Sequence, residues 1–309
     1  MTPSGAGLRR AALLAVSFAL LVWLWHDVGG GALASLLREL DAAWFGAALF
    51  LFVPTTLVTA WRWQIVAADT RVLGLGEALR MVLAASAANL FLPAKLGDVG
   101  KGAFLAEGPD GGGRAEGLAL ALFEKLADVA ALAFWMVVAC FFLPPVREAE
   151  QIAFVVGLGI VSSFGILCLV PIGGGSADDE SDEAGVIRRA FRGVALLRAN
   201  PRRFALVLAS SLLLWGLHLL QFQCAAWAAA SDAAPAFLAS RIPMAIFVGL
   251  LPISFAGVGT RDAALLYLLG PFLGEPVALA LGAFATLRYL VPAAAGMLSI
   301  SGFGPSRAG

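Results

Sequence analysis

The chain has 309 residues, of which 60% are apolar and 14% charged, against about 25% charged in an ordinary soluble domain. A mean hydropathy of +0.88 excludes a water-soluble fold of this size, because a soluble monomer must cover its core with polar surface. Lysine plus arginine and aspartate plus glutamate both total 21, so net charge points to neither a nucleic-acid partner nor an acidic ligand.

Crossing about 30 Å of hydrocarbon takes about 20 apolar residues in a helix. In chain order such runs occupy 8–25, 42–61, 115–143, 152–172, 203–230 and 277–300. The first follows Arg9 and Arg10 in the manner of a signal peptide, but no small-residue cleavage site precedes the next charges, so it reads as a retained span. Between the first two runs, Leu33, Leu36, Leu37 and Leu40 recur at helical spacing beside Arg38 and Glu39, which predicts a helix along the membrane surface. Two shorter segments, 77–92 and 237–251, reach only roughly 24 and 22 Å as helices. Each ends in Leu-Pro and a glycine-bearing polar turn, LPAKLGDVGK at 92–101 and LPISFAGVGTRD at 251–262. Aligned on Pro93 and Pro252, both turns carry Val six residues on and Gly seven residues on, with Lys101 or Arg261 just after. Proline ends a helix by removing an amide donor and glycine permits a tight reversal, so each segment reads as a helix broken at membrane depth.

The lysines and arginines decide whether these short segments cross or turn back. Two re-entrant hairpins leave Arg9, Arg10, Arg62, Arg71, Arg114, Arg307 and the arginines of 188–203 inside, with Arg38 and Arg147 outside, as the positive-inside bias requires. Both termini are then cytoplasmic, and the two hairpins open to opposite faces, the inverted-repeat arrangement of alternating-access transporters. The expected fold is an all-α integral membrane protein, one polytopic domain over 1–309 with about six full spans and two hairpins. The polar stretch 173–203 reads as a cytoplasmic loop. Its acidic GGGSADDESDEAG is followed by Val186, Ile187, Ala190, Phe191 and Val194 on one helical face beside Arg188, Arg189 and Arg192. That segment is either an interfacial helix on an anionic leaflet or a solvated loop whose arginines set topology.

Seven basic residues, Arg80, Lys95, Lys101, Lys125, Arg241, Arg261 and Arg288, fall within or beside membrane segments, where a charge costs several kcal/mol unless paired or hydrated. Glu124 and Asp128, four apart on one span, share a face, so their repulsion demands cations opposite. Arg288, about 16 Å along the last span, is placed to supply one, together with Lys101, Asp98, Arg261 and Asp262 at the two turns. Leaving out the interfacial Arg80, the deep cations exceed Asp98, Glu124, Asp128 and Asp262 by two. An anionic ligand would balance that excess, and free amides at a turn inside the membrane favour one. The competing reading is an internal salt-bridge network that only holds the hairpins in place. His218 with Gln221, and Asn89 with Ser86, read as helix-packing pairs.

Enzyme signatures are missing. A phosphate-binding loop ending at Gly100-Lys101 would need Gly at 95 and Ser or Thr at 102, where the chain has Lys95 and Gly102. No GxSxG, HExxH or paired CxxC occurs, and Cys140, Cys168 and Cys224 lie in apolar runs as small hydrophobes. No metal, cofactor or catalytic residue is expected.

Several motifs, in order, resemble the transmembrane region of lysylphosphatidylglycerol synthases and the related flippase-like membrane proteins. They are AWRW at 60–63, NLFLPAKLGDVGK at 89–101, FEKLADV at 123–129, LPISFAGVGTRDAAL at 251–265, and Arg288 in the last span. Lys101, Lys125 and Asp262 depart from the family's usual residues but keep their charge. The soluble aminoacyl-transferring domain of full-length synthases is not among these residues, so the resemblance implies lipid translocation or a related lipid role rather than synthesis. The expected function is a lipid transporter of a bacterial-type inner membrane, moving a phospholipid or polyprenyl-phosphate-linked lipid with an anionic head. Its expected contacts are Lys95, Asp98, Lys101, Glu124, Asp128, Arg261, Asp262 and Arg288. The alternatives are an accessory partner of a lipid- or glycan-modifying membrane enzyme and, less favoured, a membrane transferase using Glu124 or Asp128 as base.

Overall fold

The structure, a computed structural model, describes residues 30–90, 96–107, 114–170, 183–251 and 257–300, with Val22, Leu92 and Ser254. Among the described residues all regular structure is helical. Five helices are long and apolar enough to cross a membrane, Ala42–Ala67, Arg114–Phe142, Glu148–Leu169, Pro201–Ala228 and Glu275–Leu298. They coincide with the apolar runs expected from 42 onward. The expected span 8–25, the acidic stretch before 183 and the prolines of both Leu-Pro turns lie outside the described residues.

In chain order the helices are α1 (Gly30–Glu39), α2 (Ala42–Phe50), α3 (Phe52–Ala67), α4 (Leu75–Asn89), α5 (Leu96–Gly100), α6 (Arg114–Phe142), α7 (Glu148–Leu169), α8 (Glu183–Ala199), α9 (Pro201–Ala228), α10 (Pro235–Leu250), α11 (Thr260–Leu273) and α12 (Glu275–Ile300). A 3-10 turn, Lys101–Glu107, follows α5. Asp41 starts α2 by accepting the amides of Ala43 and Trp44 at 2.8 and 3.0 Å, satisfying donors that have no carbonyl of their own. The break at Leu51 falls where Pro54 cannot donate to the carbonyl of Phe50, which interrupts the ladder.

The chain forms two compact units. Unit 1 comprises 1–52, 135–157 and 216–290, and unit 2 comprises 53–134, 158–215 and 291–309. Each contains one of the Leu-Pro turns. In unit 2, α4 ends at Asn89 and α5 packs back against it. The reversal is closed reciprocally, Asn89 Nδ2 donating to Asp98 at 2.7 Å while the Asp98 amide donates to Asn89 Oδ1 at 3.3 Å. Asn89 thus packs α4 on α5, while the Ser86 hydroxyl donates to the Val82 carbonyl in its own helix. Gly97 is required here for closeness, since a Cβ would lie 2.5 Å from the Ala85 carbonyl oxygen. In unit 1, α10 and α11 pack together after the second turn. Gly257 takes φ +77°, and a Cβ there would meet the Gly249 oxygen at 2.7 Å, so both the conformation and the space demand glycine.

Unit 2 has a core of Trp63, Leu105, Leu120, Phe123 and Val207, to which α8 adds Val194 and Leu197. The basic segment is therefore a helix that docks on this core, with Arg192 outward. In unit 1, α2, α9 and α12 meet through Phe45, Phe222 and Phe284, with ring centroids 5.7 and 6.4 Å from Phe284. By contrast α7 exposes Ile152, Val155, Val156 and Ile166, which is tolerable where the surrounding solvent is lipid.

Gly97→Ala forces the α4 backbone apart and is expected to cost about 1–3 kcal/mol, whereas Gly76→Ala, in open space on the same helix, is expected to be neutral or to gain up to about 1 kcal/mol. Unfolding of the two variants in detergent micelles checks the contrast.

Candidate functional site

Unit 2 concentrates its charge where α3, α6 and the first turn meet. Arg62, on α3, is 1% exposed. Its Nε donates to Glu124 at 3.0 Å, its Nη2 to Asp128 at 3.1 Å and its Nη1 to the Ser211 hydroxyl at 2.8 Å. Lys101 pairs with the other oxygen of Glu124 and stands 4.4 Å over the Trp63 ring. Lys125 pairs with Asp98 at 2.6 Å and lies 3.8 Å from Asp128. Three cations, Arg62, Lys101 and Lys125, thus face three anions, Asp98, Glu124 and Asp128. Among the described residues the cluster is neutral, and it ties the first turn to two spans.

Glu124 and Asp128 share a face as their spacing requires, but the cation between them is Arg62, which the sequence reading assigns to the cytoplasmic face. The helix continues past the first arginine of the apolar run to Ala67, and Trp63, one residue beyond Arg62, is wholly buried. AWRW is therefore a span interior, with Trp61 outward and Arg62 and Trp63 inward.

Among its described residues, unit 1 holds three further buried cations. Arg241 pairs with Glu150 at 3.1 Å, a carboxylate that sequence reasoning passed over although an acid at the start of a very apolar helix needs a partner. Arg261 binds Asp262 through Nη2 and Nε at 2.7 and 3.0 Å. The same Nη2 reaches the Gly282 carbonyl at 3.0 Å and the Thr286 hydroxyl at 2.7 Å. Asp262 also accepts the Gly259 amide at 2.9 Å, so this pair caps α11 and pins it to α12. Arg288 differs. It is 7% exposed, gives Nη2 to the Tyr289 hydroxyl at 3.1 Å and lies 5.1 Å from the Phe222 ring centroid. Among the described residues it makes no ion pair, and its Nε and Nη1 have no hydrogen-bond partner. The anticipated excess of two positives resolves to this single arginine once Arg62 and Glu150 are counted and Lys95, outside the described residues, is set aside. Gln221 donates to the Ala48 carbonyl at 3.2 Å while His218 bonds Gln221 at 2.9 Å, the packing role expected of them.

A cavity of about 610 Å³ in unit 1 is bordered by Asp262 and Thr286 and otherwise by apolar side chains such as Phe284, Leu287 and Leu290. Its size falls among ligand sites.

The sequence pattern of the lysylphosphatidylglycerol synthase TM region matches residues 10–296. The chain belongs to that family. It is accordingly a multi-pass membrane protein with a lipid-related function. No curated protein matches the chain. Within this lysylphosphatidylglycerol synthase TM-region protein, ion pairs join the motif AWRW to FEKLAD in unit 2, and hydrogen bonds join GTRD to the last span in unit 1.

Arg62→Gln removes the guanidinium shared by two buried carboxylates, leaves the cluster with one uncompensated negative charge and is expected to cost about 3–5 kcal/mol. Asp128→Asn on that background should restore part of the loss, with a coupling of about 0.5–3 kcal/mol in a double-mutant cycle read by unfolding in micelles.

Proposed function

We propose that this protein moves a lipid with an anionic headgroup, a phospholipid or polyprenyl-phosphate-linked lipid, between the leaflets of a bacterial-type inner membrane. The observation that carries the reading is Arg288, a buried guanidinium in an apolar span with two unpartnered nitrogens among the described residues. A charge in that setting is stabilised by an opposite charge, and the family supplies the lipid context. The repeated Leu-Pro turn, present once in each unit, supports two re-entrant hairpins related as an inverted repeat, with both termini cytoplasmic. In this reading Asp98, Lys101, Glu124 and Asp128 lock the first hairpin to its spans, Arg261 and Asp262 lock the second, Lys95 lies at the first turn, and Arg288 meets the headgroup. The protein is a transporter and not an enzyme.

A second reading draws on the neutrality of the unit 2 cluster: a network already closed on itself supports an accessory protein that serves a lipid- or glycan-modifying membrane enzyme. Purified protein in liposomes with labelled lipids separates the two. Translocation of the anionic lipid without chemical change is expected. Arg288→Gln should slow it about tenfold, the worth of one charge-assisted contact of ~1.5 kcal/mol, and Arg288→Lys less. Folded protein that leaves the lipid in place supports the accessory role, and a modified lipid would make it a transferase.

Topology has its own check. After replacement of Cys140, Cys168 and Cys224, single cysteines within 108–113 should react with an impermeant maleimide only from the cytoplasmic side, and those within 231–235 or 274–276 only from outside. Outside reactivity at Gly111 would mean that the first segment crosses.

A further inference from the structure

Beside α4 in unit 2 runs a groove of about 770 Å³ that contains none of the charged residues assigned above. Charge gathers at one end, where Arg71, Glu77 and Arg80 border it. Arg71 is committed, donating to Glu77 at 2.6 Å and to the Phe104 carbonyl at 3.3 Å. Arg80 gives its Nε to the Gly76 carbonyl at 3.2 Å and its terminal nitrogens to no described residue. This end therefore carries one net positive charge and a guanidinium edge that is open. Along the floor, Ala84 and Ala88 present only methyl groups, and the far end is closed by Leu92 beside the first turn, with exposed Phe104 as a wall.

The dimensions agree with that chemistry. From Arg80 to Asn89, where α4 ends, is nine residues, about 14 Å at helical rise, close to the ~15 Å that half of a ~30 Å hydrocarbon core provides. One basic end and an apolar channel one leaflet deep complement a molecule with an anionic head and a single long chain beneath it. A small soluble anion would use Arg80 and gain nothing from the floor.

We propose that this groove binds one acyl chain of an anionic phospholipid, with the phosphate at Arg80 and the chain along Ala84 and Ala88 toward the first turn. The proposal rests on the reading that lipid is this protein's ligand, and adds a docking place distinct from Arg288.

The test uses the full chain in nanodiscs of phosphatidylcholine doped with phosphatidylglycerol that carries a photoactivatable acyl chain. Crosslinks are expected within 80–92 and 97–104, displaced by unlabelled phosphatidylglycerol about tenfold better than by phosphatidylcholine of equal chain length, the order of one charge-assisted contact. Arg80→Gln should erase that preference and Arg80→Lys keep it. Ala84→Phe with Ala88→Phe, at half-buried positions that can carry bulk outward, should remove the crosslinks, while an unfolding midpoint matching the wild type shows that the fold is kept. Crosslinks that ignore the headgroup, persist in the filled groove, or yield equally to inorganic phosphate would overturn the proposal. Liposome transport measured alongside keeps the two ideas apart. Transport with no labelling of the groove removes only the groove, and headgroup-selective labelling without transport removes only the transport reading.

Discussion

Arg62 holds together two carboxylates that would otherwise repel one another inside a span. Glu124 and Asp128 project from the same face of α6, and with nothing between them that face could not be buried away from water. The guanidinium suits the task because its fork can address two acceptors at once. Through Glu124 the arrangement extends to Lys101, and through Asp128 to Lys125 and Asp98. The position of the first turn therefore depends on a residue from α3, and the carboxylates of α6 are tolerated because α3 brings Arg62 and that turn brings Lys101 to them, while Lys125 of α6 itself meets Asp98 of the turn.

Glycine makes that return feasible at the backbone level. The chain after Asn89 approaches α4 closely enough that the turn's side-chain bonds form only if Gly97 has no Cβ. The second turn solves the same problem with Gly257 and Gly249, then anchors itself by a different device, an arginine and aspartate adjacent in sequence that clasp each other and the carbonyl of Gly282. The two turns share a sequence pattern without sharing an ion-pair scheme. The first is held by partners gathered from several helices, and the second largely by itself and α12.

Charge compensation also separates the buried cations that meet carboxylates from the buried cation that, among the described residues, does not. Arg62, Lys101, Arg241 and Arg261 all meet carboxylates, and removing a partner from such a pair would strand the other in low dielectric. Arg288 has aromatic faces and a phenol hydroxyl instead. Aromatic rings ease a buried cation by their quadrupole but do not neutralise it, which is why this position and not the larger cluster carries the functional reading.

Much of this was legible in residue order. Run length determined the spans from residue 42 onward, because hydrocarbon thickness sets a minimum helix length. Leu-Pro followed by glycine marked the ends of α4 and α10, because proline removes a donor and glycine removes a side chain. The i, i+4 spacing of Glu124 and Asp128 dictated a shared face and hence a cation opposite. Helical period says which residues look the same way and is silent on which helix they look at. So the choice of Arg62 over Arg288, the pairing of Arg241 with Glu150 some ninety residues away and the neutrality of the unit 2 cluster were decided only by tertiary structure. Coulomb attraction depends on distance in space, and the folded chain sets that distance independently of separation along the sequence.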